Sequence, residues 1–180
     1  SILAMALIDW KPESMIFLFL VILCYVIGSF YSGVILGNSN FRLGRRYGLP
    51  MSLVALFILI CWVLLPYFPR YALLWASVAM GIQNAMISYY KGTIIRTTHL
   101  SGVLTDLGLA LGYRVRGLQV EKRRIVLHLL ILIGFFVGGL LAAAIYPTFK
   151  LNSFLVPAGL SLSLSLVYWI IYFRYRHLQH

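Results

Sequence analysis

The sequence predicts an all-α fold: a polytopic membrane helical bundle with five full spans and one re-entrant half-helix. The first observation is composition, because 62% of the 180 residues are apolar and only 11% are charged. Soluble domains carry about 25% charged residues. The second is that the apolar residues form runs of about 20, enough to cross a bilayer core of roughly 30 Å. This excludes a soluble domain and a disordered chain, and makes the lipid bilayer the expected partner.

Five apolar runs predict the full spans, and together they form a single transmembrane domain over residues 1–180. Polar residues or prolines bound each run, and the third run follows the second through a tight turn after Pro69 and Arg70. Three serines alternate with leucines between Ser161 and Ser165, a period typical of strands. A helix is still expected there, because an isolated strand cannot satisfy its backbone in lipid. The predicted spans are 14–36, 49–68, 71–90, 125–146 and 153–173.

A sixth segment, 100–113, is too short for a full span, since its 14 residues give a helix of about 21 Å. If it enters and leaves on one side, 12 of the 15 Lys and Arg residues lie on the cytoplasmic side. If it crosses, the best division is 9 to 6. Cytoplasmic loops are enriched in Lys and Arg, so a re-entrant half-helix and a cytoplasmic carboxyl terminus are predicted.

The basic residues, which give a net charge of +11, lie between apolar runs, so they indicate topology and predict no nucleic-acid partner. Cys24 and Cys61 lie inside apolar runs and are expected to pack there, with no disulfide. No metal or cofactor is predicted.

An internal similarity suggests an inverted repeat. The stretch from Tyr25 to Ile35 resembles that from Phe135 to Ile145 when Gly28 is aligned with Gly138. In the predicted topology the two spans run in opposite directions, as in many secondary transporters. The alternative is that any two glycine-bearing apolar helices align this well.

Small residues recur at helix-packing spacing, as in Gly28 with Ser32, Ser29 with Gly33, and Gly134 with Gly138. Such residues let helix backbones approach closely in lipid. Packing within the chain is the expected role. A homo-oligomer or a larger membrane complex, docked through Gly28, Gly33, Gly134 and Gly138, is the alternative.

The candidate solute site lies where the third span leads into the half-helix. Ser101 is the predicted N-cap and Gly102 opens the first turn, where free backbone N–H groups attract a carboxylate or phosphate. The substrate-binding candidates are Gln83, Asn84, Arg96, Thr97, Thr98, His99, Ser101, Gly102, Thr105 and Asp106.

Helical spacing places Ser101, Thr105, Gly108 and Gly112 on one small, polar face, which is expected to line a cavity. The leucines around that face, together with Val103, are expected to pack against neighbouring helices.

Asp106 at membrane depth needs a partner, for which Arg96 and His99 are the candidates, and it could bind a coupling proton. By contrast, His128, His177 and His180 have no evident partner. The structural alternative is that these polar groups only satisfy the backbone where the helix breaks. Catalysis is not expected, since spacing alone does not make His99, Ser101 and Asp106 a triad.

At these residues the sequence resembles the YoaK-like family of small bacterial inner-membrane proteins, classed as a domain of unknown function. The similarity rests on Met80–Ala85, on Arg96–Gly102 and on Thr105–Gly108. Where the family commonly has Thr before the glycine, this chain has Ser101. The resemblance implies the span layout and an inner-membrane location but no substrate. It also implies an additional first span in the family, with Ser1–Asp9 as the end of its half-helix.

Two functions follow as hypotheses. The first is a permease for a small solute, with an anion as the candidate class and a site around residues 83–106. The second is a non-transporting accessory or structural subunit of a larger membrane complex.

Overall fold

The computed structural model describes residues 12–36, 45–87, 89–90, 93–94 and 100–177. These residues are helical apart from short turns and two two-residue strands that pair antiparallel. A 3₁₀ turn over Lys150–Phe154 joins the last two helices. The elements are α1 (Pro12–Leu36), α2 (Arg45–Leu64), α3 (Pro69–Ile87), β1 (Tyr89–Tyr90), β2 (Thr93–Ile94), α4 (Leu100–Val115), α5 (Lys122–Phe149) and α6 (Leu155–His177).

Prolines account for most of the differences from the predicted boundaries. Helix α5 continues through Pro147 to Phe149, three residues beyond the predicted span 125–146. Proline removes only its own donor, and the Lys150 N–H still bonds the Tyr146 carbonyl to close the last turn. Helix α2 likewise begins at Arg45, before Pro50. The third predicted span ends early, at Ile87, because Tyr89–Tyr90 pairs with Thr93–Ile94.

The all-helical class and the tight turn after the second span are confirmed. The α2–α3 connection covers only residues 65–68. The region of alternating serines is helical, since α6 includes it, and the Ser163 hydroxyl donates to the Gly159 carbonyl at 2.8 Å.

The described residues contain three stretches long and apolar enough to cross a membrane: Pro12–Leu36, Tyr47–Leu64 and Ile125–Arg174. The last has 50 residues and includes both α5 and α6. Helix α3 is not among them, because Arg70, Gln83 and Asn84 lower its hydropathy. These stretches support a membrane protein, while five full spans remain a prediction.

By its internal contacts the chain divides into two compact units, residues 1–86 with 151–180, and residues 87–150. In the first unit, α2 and α6 pack antiparallel along their lengths. At one end the rings of Tyr47 and Tyr168 lie 6.2 Å apart, and at the other the Trp62 indole N–H donates to Asn152 Oδ1 at 3.2 Å. Between them the hydroxyls of Ser52 and Ser165 lie 2.6 Å apart.

Two glycines bring α1 and α3 into close contact. A methyl group on Gly28 would overlap the Val78 carbonyl oxygen, and one on Gly81 would overlap the Tyr25 carbonyl oxygen. The Ser77 hydroxyl donates to the Val21 carbonyl at 2.7 Å, and the Ser29 hydroxyl donates to the Gly81 carbonyl at 3.2 Å. The expected internal packing of Gly28 is therefore confirmed.

In the second unit, α4 packs against the beginning of α5. Leu107, Ala110 and Ile125 form the buried centre of this contact, and Val120 and Leu132 border it. Beyond Leu132, α5 is mostly exposed, including Gly134 and Gly138, where a methyl group added to either glycine would have no neighbouring atom within 4 Å.

We expect Gly28→Ala to destabilise the protein by about 1–3 kcal/mol, because the added methyl group must push two helix backbones apart. Thermal unfolding in detergent measures this. Gly33→Ala is the matched control on the same helix, since nothing lies within 4 Å of its added methyl group. Equal unfolding temperatures for the two variants would contradict the close α1–α3 contact.

Candidate functional site

Among the described residues of the second unit, an aspartate and a histidine meet where α4 packs on α5. Leu107 and Ala110 bury one face of α4 against Ile125, which fixes the register between the two helices. Asp106 precedes Leu107 and sits at the edge of this buried face. His128 follows Ile125 by three residues, so it lies on the same side of α5.

This packing brings Asp106 and His128 together. His128 Nε2 lies 3.5 Å from Asp106 Oδ2, and the histidine side chain is only 5% exposed whereas the aspartate side chain is 40% exposed. Protonation of His128 makes the contact an ion pair. The statement that His128 has no evident partner is therefore wrong, because the sequence does not show which helix packs on α5.

Asp106 also lines a pocket of about 440 Å³ beside α4. Three further α4 residues share its face at helical spacing, and the segment before α5 covers it. Both polar and apolar side chains line the pocket. Its volume lies within the usual range of small-molecule sites, about 300–1,000 Å³. Its lining residues are Asp106, Leu109, Ala110, Tyr113, Gln119, Val120 and Glu121.

Positive charge surrounds this acidic pocket. The two lining carboxylates belong to Asp106 and Glu121. Exposed cations occupy the adjoining turn and the start of α5, next to a pocket whose inner surface accepts hydrogen bonds. These cations are Arg114, Arg116, Lys122 and Arg123.

The predicted polar face of the half-helix does not line this pocket. Ser101, Thr105, Gly108 and Gly112 are exposed, and nothing lies within 4 Å of a methyl group added to either glycine. The neighbouring face, which starts at Asp106, lines it instead. That the serine and glycine face lines a cavity of its own stays a prediction.

Two expectations about α4 are corrected. Ser101 lies inside the first turn, because the helix already begins at Leu100, and its carbonyl accepts a hydrogen bond from the Thr105 hydroxyl at 2.9 Å. Val103 and Leu107 pack as expected, but Leu104 and Leu111 are 47% and 48% exposed. Gly102 is half-buried in the same first turn.

Gln83 and Asn84 lie on α3 in the first unit. The Asn84 amide donates to the Tyr25 hydroxyl at 3.0 Å, so this residue joins α3 to α1, while Gln83 is exposed. This is a contact between side chains, so the alternative that Asn84 satisfies the backbone at a helix break stays untested. That these residues share a solute site with α4 stays a prediction.

Arg96, Thr97, Thr98 and His99 lie outside the described residues. The prediction that Arg96 or His99 pairs with Asp106 therefore remains untested. Within the described part of the chain no group of three His, Cys, Asp or Glu side chains could hold a metal ion.

The sequence reasoning missed His128, Tyr113, Gln119 and Glu121 as site residues. One signal could have found His128: Ile125, His128 and Leu132 recur at i, i+3 and i+7, so the histidine lies on the apolar face that α4 covers. A histidine on a covered face requires a polar partner. The loop residues carry no comparable pattern.

We expect Asp106→Asn and His128→Gln to be non-additive, with a coupling free energy of about 0.5–3 kcal/mol, because the two side chains contact each other beside a buried face. Thermal unfolding of both single variants and the double variant measures it. The control is the exposed pair of Glu13 and Arg70 on α1 and α3, whose charged atoms lie 4.0 Å apart. That pair should show almost no coupling, since solvent screens it. Additive effects at Asp106 and His128 would show that the contact contributes nothing to stability.

Comparison with known proteins gives a family but no characterised relative. No curated protein and no solved structure matches the chain. One family, described as "Protein of unknown function (DUF1275)", matches residues 1–167. This agrees with the resemblance drawn from Met80–Ala85 and Arg96–Gly102. The chain therefore belongs to the DUF1275 family of proteins of unknown function.

Proposed function

We propose that the protein is a small-solute permease of the bacterial inner membrane, with α4 as its re-entrant half-helix and its carboxyl terminus in the cytoplasm. The observation that carries this proposal is the pair of Asp106 and His128 beside a pocket of about 440 Å³. Ionisable residues inside a membrane protein are costly, and they typically mark ion or substrate pathways.

The helix directions in the first unit support the re-entrant topology. Helices α1 and α3 are parallel, since Arg70 lies beside Glu13 and Asn84 bonds Tyr25. Helix α2 runs against α6, with Trp62 at its end bonded to Asn152. Because α3 starts where α2 ends, Met86 lies at one end of this unit and Leu151 at the other.

With α1, α2, α3 and α6 as proposed spans, the chain between these two ends crosses the membrane an odd number of times. It contains α4 and α5, with 16 and 28 residues. At 1.5 Å per residue α5 reaches about 42 Å, which is enough to cross, whereas α4 reaches only about 24 Å. If α5 crosses the membrane and α4 returns to the side from which it entered, the number of crossings is odd. Each helix is then also long enough for its path.

Cysteine labelling tests this topology. In a chain without Cys24 and Cys61, we expect Thr97→Cys and Gln119→Cys to react with an impermeant maleimide from the same side of oriented vesicles. Asn152→Cys is the matched control and should react only from the other side. Opposite accessibility of positions 97 and 119 would show that α4 crosses the membrane, and would exclude the re-entrant arrangement.

The start of α4 is the proposed seat of an anionic solute group. The backbone N–H groups of the first turn have no partner within the helix, and they carry partial positive charge. Arg96, Thr98 and Ser101 would add donors around that group. Asp106 lies just over one turn further on, where it would be the titrating group.

We expect reconstituted protein to take up at least one labelled anion from a panel of inorganic phosphate, sulfate and small carboxylates. Arg96→Ala should abolish this uptake because it removes the cation beside the anion seat, and Asp106→Asn should abolish it because an amide cannot bind a proton. Glu13→Gln, an exposed change on α1, is the control and should transport normally.

An accessory subunit is the second candidate, and the open glycines of α1 and α5 favour it. Gly28 is covered by α3, so it cannot face another subunit, whereas Gly33, Gly134 and Gly138 have open space beside them. Such small residues allow close helix contact in lipid. No uptake of any anion, together with a stoichiometric partner after mild-detergent purification, would favour this function over the permease.

A further inference from the structure

We propose that Asp106 and His128 together form the proton-binding site of this permease, and that the pocket beside α4 is its water-filled entrance. This deepens the proposed function, on which it rests, by identifying the coupling ion, the residue that shares it and its route. His128 had no assigned role, and the pocket lies on a different face of α4 from the proposed solute seat.

The geometry provides two adjacent groups that can hold one proton. Nε2 of His128 and Oδ2 of Asp106 are 3.5 Å apart. Histidine is the side chain that most readily changes charge between pH 5 and 8. With neutral imidazole the pair carries one negative charge, and after it binds one proton the pair is a neutral imidazolium–carboxylate contact. The same proton is released when the pair faces the other side of the membrane.

The pocket supplies a path for that proton. The imidazole is buried, and among the described residues its half-buried neighbour Asp106 links it to the pocket, so a proton can reach it through Asp106. A volume of about 440 Å³ accommodates on the order of ten waters, at about 30 Å³ each. The side chains of Tyr113, Gln119 and Glu121 provide polar partners for those waters.

The charged groups around the pair fit this role. Tyr113 of α4 and Glu121 before α5 line the same pocket, and Glu121 is exposed at the surface, where it can collect protons from solution. The cations on either side of the pocket neutralise part of the negative charge that Asp106 and His128 carry together before they bind a proton. They are Arg114 and Arg116 after α4, and Lys122 and Arg123 at the start of α5.

The two faces of α4 separate the proton from the solute. Asp106 follows Thr105 by one residue, which places it about 100° around the helix axis. The helix could therefore bind a solute at its exposed serine and glycine face and, at the same time, a proton on another side. A helix that carries both ligands couples their movement without requiring them to touch.

The test uses the whole protein in lipid nanodiscs with ¹⁵N-labelled histidine, and the probe is the proton itself. NMR spectra are recorded between pH 5 and pH 8, and His128→Gln identifies the signals of His128 among those of His99, His177 and His180. We expect the His128 signals to change from the neutral to the cationic form on acidification, and to show an exchange peak with water. Asp106→Asn should shift the His128 Nε2 signal, because it replaces the carboxylate that lies 3.5 Å from that nitrogen.

Filling the pocket tests the route. Leu109→Trp places a large ring in the pocket and should reduce the water-exchange peak of His128 by at least half. Leu130→Trp is the matched control, because Leu130 is an exposed leucine on α5 that does not line the pocket. Equal exchange peaks in the two variants would overturn the proposal that the pocket is the entrance for the proton.

Identical His128 signals at pH 5 and pH 8 would overturn the proton site, even if anion uptake is observed. A second outcome distinguishes the proton site from the permease function. A pair that binds a proton through the pocket in a protein that transports none of the anions would support this site and refute the permease.

Discussion

A polar group between membrane helices must find its partner inside the protein, because hydrocarbon offers none. This constraint is met at two helix contacts. Asn84 of α3 donates to Tyr25 of α1, and Asp106 of α4 lies beside His128 of α5. Within the described residues, the Ser32 hydroxyl is buried without a hydrogen-bond partner.

The two glycine-bearing spans show that similar sequences can have different packing environments. Gly28 and Gly138 align in the proposed internal repeat, yet Gly28 touches the backbone of α3 whereas Gly138 has open space beside it. The same residue type therefore closes a helix contact inside the protein in one span and leaves a bare surface in the other. Only that bare surface is available to lipid or to another chain.

The proposed function depends on a short helix that carries its acid at the edge of a buried face. If α4 packed on α5 through its serine and glycine face, Asp106 would point away from His128 and the pocket would lose its polar wall. Leu107 and Ala110 prevent this, because burying them against Ile125 is more favourable than burying small polar residues. Apolar packing thus sets the position of the ionisable pair.

The sequence alone determined the helical class, the approximate positions of the helices, the membrane as the solvent and the family, because these follow from run lengths, charge distribution and local motifs. It also identified Asp106 as the residue that needs a partner. Only the tertiary structure decided that His128 is a partner and that Leu109, Tyr113 and Glu121 line a pocket with Asp106. The rotation of one helix against another depends on side-chain packing between segments distant in sequence, and periodicity within one segment cannot specify it.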